Sequence, residues 1–77
     1  MNTDKKIVVG KKQTLRALSR DEAKLVYLSK DADLHFTKTI ADVCKEKNID
    51  IIYYDSMKEL GATVGIGVNA AAAAVLI

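Results

Sequence analysis

The chain contains a single cysteine, Cys44, and a single histidine, His35, in 77 residues. A lone thiol cannot close an internal disulfide, and with no second Cys and no clustered His no metal site is expected. The same scarcity suits a reducing, cytoplasmic setting. The opening residues, Met-Asn-Thr-Asp-Lys-Lys, lack the apolar segment of a signal peptide. The longest apolar run, Ala70 to Ile77, falls far short of the ~20 residues that cross a bilayer, so a soluble chain with no membrane partner is expected. Catalytic groupings are equally scarce. His35 stands alone at a helix start, Asp31 and Asp33 have no evident partner, and no nucleophile–base pair can be drawn. The sequence therefore predicts no enzyme, no catalytic residue and no cofactor. Nor does any repeat, linker or low-complexity segment divide it, and one domain over 1–77 is expected.

The apolar share of 49% is ample for a globular fold. A chain this short has room for only a small core, which favours regular elements joined by short connections. The net charge of +2 names no partner, but its distribution is uneven. Residues 1–30 hold eight Lys or Arg against three Asp or Glu, a balance of +5, whereas residues 31–77 hold four against seven, a balance of −3.

Residues 1–5 are polar and expected to fray. Lys6-Ile7-Val8-Val9 is β-branched and ends at Gly10, a strand that feeds a helix. A polar turn over Ser19–Ala23 precedes Lys24–Ser29, whose apolar residues are consecutive, as in a central strand covered on both faces. Asp33 can cap a helix that starts at Leu34, in which Phe36, Ile40, Val43, Cys44 and Lys47 form one stripe and Asn48 closes the end. Cys44 reads as a buried small hydrophobe and His35 as solvated. Ile51–Tyr54 is a third strand, and Ser56 with Glu59 has capping-box spacing for a short helix through Leu60. Gly61–Asn69 then reads as a glycine-rich loop, without the Gly-Lys-Ser/Thr ending of a nucleotide-binding one. Its Ile66 and Val68 either pack inward, the default, or await a flat apolar partner such as a base. Ala70–Ala74 favours helix by propensity and Val75–Ile77 favours strand, which leaves both open. The alternation of strands and helices predicts an α/β fold, a three-layer α/β/α sandwich with a small mixed sheet.

The stretch Gly10–Leu18 carries the chemistry. At ~100° per residue Lys12, Gln13, Arg16 and Arg20 fall within about a quarter of the helix surface, with Leu15 and Leu18 expected to point into the core. The first N–H groups, at Lys11 and Lys12, have no intrahelical partner, and the helix dipole draws an anion to them. An anion-binding helix start beside a Lys, a Gln and an Arg suits nucleic acid. Exposed helices also carry Lys and Arg simply for solubility, and composition alone favours that reading.

Gly10-Lys-Lys-Gln-Thr-Leu-Arg-Ala-Leu18, Ala23–Leu28, Asp31, Cys44–Ile49, Leu60-Gly61 and Val64-Gly-Ile-Gly-Val68 resemble, in order and spacing, the ribosomal protein L7Ae and L30e family, closest to its L30e branch and its short bacterial ribosome-associated members. The resemblance runs from about Ile7 to Ile77 and reverses the preference drawn from composition. It implies the α/β/α sandwich with a four-stranded sheet, a strand over residues 70–77, and binding of kink-turn RNA, a helix bent sharply around tandem sheared G·A pairs. In such members the glycine-started helix enters the groove at those pairs. Carried over by position, Gly10 would let the backbone approach phosphate, with Lys11 beside it. Lys12 and Gln13 stand where many members have Asn and Glu, and Arg16 where many have Lys. Asp33 stands where some members turn an acidic residue toward an extruded base, and Ile66, Gly67 and Val68 would meet loop nucleotides. Lys12 and Gln13 retain base-reading chemistry, with a shift from discrimination toward nonspecific affinity. The extra terminal helices of longer members are absent from the pattern. The expected partner is kink-turn RNA, ribosomal or riboswitch-like, with the ribosome behind it, bound by a monomer. The alternative is a protein-docking module of the same fold with only nonspecific RNA affinity.

Overall fold

The computed structural model describes residues 6–65 and 69–77. The elements run β1 (Ile7–Val9), α1 (Lys11–Ser19), β2 (Ala23–Ser29), α2 (Leu34–Lys47), β3 (Asp50–Tyr54), α3 (Met57–Val64) and β4 (Ala72–Leu76). The four strands form one mixed sheet in the order β1-β4-β2-β3, with β2 parallel to β3 and β4 antiparallel to both of its neighbours. β2 occupies an inner position, in keeping with its consecutive apolar residues. The expected α/β sandwich is observed.

Alternation along β2 divides the core. Val26 and Leu28, both at 0% exposure, point with Ala72 and Ala74 toward Ala17 and Leu18 of α1 and Phe36, Ile40 and Cys44 of α2. The opposite face carries Tyr27, whose ring meets Tyr54 edge-on at 5.7 Å, and α3 with its buried Leu60. Between Ala23 and Leu25 the register against β4 shifts by one residue, a bulge that leaves Lys24 exposed.

Ala70–Ala74 adopts no helix. Ala72–Ala74 lie in β4, wholly buried and bonded to strands on both sides. An isolated alanine helix this short would be marginal, whereas the inner sheet position satisfies every backbone group, so tertiary context overrides propensity.

Three helix ends follow the sequence signals. Asp33 accepts from the His35 N–H at 3.2 Å, Ser56 Oγ accepts from the Glu59 N–H at 3.1 Å, and Asn48 closes α2 in the left-handed region at φ 59°. Lys47 in the last turn of α2 pairs with Asp21 of the turn before β2. One boundary differs from expectation. α3 continues past Leu60 through Gly61 to Val64, and the left-handed turn falls at Gly65, φ 79°. Gly61 is buried inside this helix, and the penalty of about 1 kcal/mol for a helical glycine is outweighed by burial of the turn against the sheet. The glycine-rich loop is thereby shortened; its Ile66, Gly67 and Val68, like the fraying expected of residues 1–5, lie outside the described residues.

Candidate nucleic-acid interface

β1, β2 and β3 run in one direction, so their C-terminal ends share one edge of the sheet, and α1, α2 and α3 all begin there. The chain returns to the same edge before β4. Gly10 N–H donates to Ala72 O at 2.9 Å, Ser29 N–H to Ala71 O at 3.1 Å, and Ala70 N–H to Met57 O at 3.0 Å. The residues that lead out of the Gly65–Asn69 connection are thus bonded beside the start of α1. In open α/β sheets, the carboxyl ends of strands are where ligands are received.

α1 is the one helix start among the three without a side-chain cap. Gly10 at its N-cap has φ 110°, a conformation that L side chains rarely adopt, and no acidic residue lies in the first turn. Helix geometry leaves the N–H groups of Lys11, Lys12 and Gln13 ahead of the first intrahelical bond, which runs from Thr14 N–H to Gly10 O at 3.0 Å. Among the described residues no carboxylate caps these donors, so the dipole field is open to an external anion.

Lys11, Lys12, Gln13, Arg16 and Arg20 are all exposed. Among the described residues none of these four cations makes an ion pair. The buried arc lies opposite and is made by Thr14, Ala17 and Leu18. Leu15, expected in the core, is 38% exposed, and the fully buried residue of that turn is Thr14. The cause is rotational. Thr14, Ala17 and Leu18 make the buried arc, and Leu15 falls on its flank, turned toward solvent. Thr14 Oγ1 finds no hydrogen-bond partner among the described residues.

Lys11 is placed differently from its neighbours. Its Nζ lies 5.4 Å from the centre of the Phe36 ring in the first turn of α2. Asp33 is exposed and serves as the cap of α2. His35 is exposed, and Cys44 is wholly buried, its thiol pushed up to about 11 by desolvation. The sequence signals missed an open apolar groove beside α2, lined by Leu34, Lys38 and Tyr53 among others; its α2 wall has helical spacing, but Tyr53 comes from β3, and no local spacing brings that ring to the helix. Among the described residues no three His, Cys, Asp or Glu side chains gather to hold a metal, and no helix is long and apolar enough to cross a membrane.

Comparison with known proteins identifies the family and the fold. The family model described as "Ribosomal protein L7Ae/L30e/S12e/Gadd45 family" matches residues 1–77. The chain is 52% identical over 69 residues to RNA-binding protein TTE2299 of Caldanaerobacter subterraneus subsp. tengcongensis, covering 90% of this chain and 84% of that protein. It is 45% identical over 71 residues to an RNA-binding protein of Bacillus pumilus, covering 92% and 87%. In fold it is similar to the Giardia lamblia 15.5kD RNA binding protein, with a TM-score of 0.83 at 24% identity over 92% of this chain and 60% of that one. The chain belongs to the ribosomal protein L7Ae/L30e/S12e/Gadd45 family.

Proposed function

We propose that this protein is a nonenzymatic, ribosome-associated RNA-binding protein, a single domain over 1–77, that recognises and stabilises kink-turns in ribosomal or regulatory RNA. The observation that carries the reading is the uncapped start of α1, which opens beside an exposed Lys12, Gln13 and Arg16 with no carboxylate in its first turn. Lys12 donates to guanine O6 or N7, Gln13 pairs with a purine edge, and Arg16 and Lys11 hold phosphate. Gly10 admits the phosphate backbone, and Asp33 lies across the same end of the sheet. Ile66, Gly67 and Val68 are assigned to loop nucleotides on the family resemblance alone. An RNA that interconverts between bent and extended forms is driven to the bent one by a protein with higher affinity for it.

The deciding experiment is a titration against a kink-turn duplex and a control whose G·A pairs are replaced by Watson–Crick pairs, at several salt concentrations. The expected result is tighter binding to the kink-turn at every salt concentration. Equal affinity for both would reduce the function to nonspecific RNA binding.

A further inference from the structure

The flank of α2 holds an open groove of about 390 Å³, within the ~300–1,000 Å³ range of pockets that take small ligands. Leu34, Thr37, Lys38 and Ala41 of α2 form one wall, Tyr53 of β3 the other, and Lys30 stands at its head. β3 is an edge strand, so its outer side has no neighbour within the sheet. Leu34 is 80% exposed and Tyr53 51%, an unusual outlay of apolar surface in so short a chain.

We infer that this groove receives an unpaired nucleotide of the bound RNA, its base stacked on the Tyr53 ring against Leu34 and its phosphate held by Lys38 and Lys30. The inference rests on the RNA-binding reading above. An aromatic ring with lysines along the rim is the arrangement by which proteins hold single strands without regard to sequence. Both cations are lysine, a residue depleted from protein–protein interfaces, which favours a phosphate over a peptide. Asp31 accepts from the Met57 N–H at 2.9 Å and Asp33 from the His35 N–H at 3.2 Å. Lys30 pairs with Asp55 at 3.4 Å, both side chains exposed, so the phosphate displaces a surface ion pair at Lys30 and Lys38 is its main cation. Among the described residues Lys38 has no ion-pair partner. The groove also opens at the edge shared with α1, because Ser29 and Gly10 are bonded to adjacent carbonyls, Ala71 and Ala72. A strand leaving an RNA engaged at α1 therefore reaches it across one continuous end of the sheet.

The test compares a blunt kink-turn duplex with the same duplex carrying a short single-stranded pyrimidine extension. The extension is expected to tighten binding about tenfold, the effect of one stacked base. Tyr53→Ala should abolish that gain and Tyr53→Phe should keep it. Lys38→Gln, which leaves the edge strand untouched, should reduce the gain and its salt dependence, and all three variants should bind the blunt duplex like the unsubstituted protein. An extension without effect, or a gain that survives Tyr53→Ala, overturns the assignment. Tyr53 ring resonances unmoved by extended RNA but shifted by an acidic, apolar peptide would overturn it in favour of a protein partner. The same extension on the Watson–Crick control separates the two claims, since equal affinity for both duplexes sinks only the kink-turn reading, while the gain still judges the groove.

Discussion

The ammonium of Lys11 sits 5.4 Å above the centre of the Phe36 ring, which joins the first residue of α1 to the first turn of α2. Phe36 belongs to the core, at 8% exposure, so the ring is a fixed platform and the positive charge is held between two helix starts. A cation over an aromatic face at a partly exposed site contributes about 0.5–1 kcal/mol. Lys11 therefore has a structural role beside any contact with phosphate.

Lys11→Ala should accordingly lower unfolding free energy in urea by ~0.5–1 kcal/mol. It should also reduce the slope of log affinity against log salt by about one, the signature of a lost phosphate contact, while the preference for kink-turn over control duplex is retained. Loss of that preference in this variant would mean that Lys11 reads bases.

Gln13→Ala should do the reverse. Gln13 is exposed, so stability should change by less than about 0.5 kcal/mol. Discrimination between the kink-turn and its Watson–Crick control should fall by ~1–3 kcal/mol with the salt slope unchanged. A variant that discriminates like the original protein would remove Gln13 from the base-reading set.

The sequence signals that proved legible are those that act over a turn or less. Asp33, Ser56 and Asn48 terminate helices through bonds to residues within four positions, and the structure contains each of them. The consecutive apolar residues of β2 marked an inner strand for an equally local reason, since both of its faces are covered. What could not be read locally depends on distant partners. The strand fate of Ala72–Ala74 is set by a slot between β1 and β2, and the extension of α3 through Gly61 by burial against the sheet. Hydropathy ranks Leu15 into the core, whereas the rotation of α1 on the sheet buries Thr14 and leaves Leu15 exposed. The cationic face of Lys12, Gln13 and Arg16 followed from helical spacing alone. The groove at Tyr53 did not, because its walls come from β2, α2 and β3.

Thr14→Val should stabilise the protein. The threonine is wholly buried, and its hydroxyl finds no acceptor among the described residues. A buried polar group without a partner costs ~1–3 kcal/mol of desolvation, and valine keeps the β-branched shape at similar helix propensity. The expected gain is about 1 kcal/mol, or ~4–8 °C in Tm for a domain of this size. Thr14→Ala, which leaves a void as well, should gain less or lose stability. A destabilised Thr14→Val protein would show that the hydroxyl is hydrogen-bonded in solution.

Cys44 supplies a pH dependence whose sign is fixed by burial. Desolvation raises the thiol from its ordinary 9.0 to about 11, so between those values the folded chain holds a proton that the unfolded chain has released. The stabilisation is complete below about pH 9 and is lost as pH rises toward about 11, at up to ~1.4 kcal/mol per pH unit. The informative quantity is the difference from Cys44→Ala, which isolates the thiol. That variant should be less stable at pH 7 because of the cavity it leaves, and its stability should fall less steeply above pH 9. With the thiol wholly buried and protonated, modification by a thiol reagent at pH 8 should proceed no faster than the chain opens. Rapid labelling under native conditions, or parallel stability curves for the two proteins between pH 9 and 11, would place the thiol in contact with solvent and contradict its position in the core between α2 and the sheet.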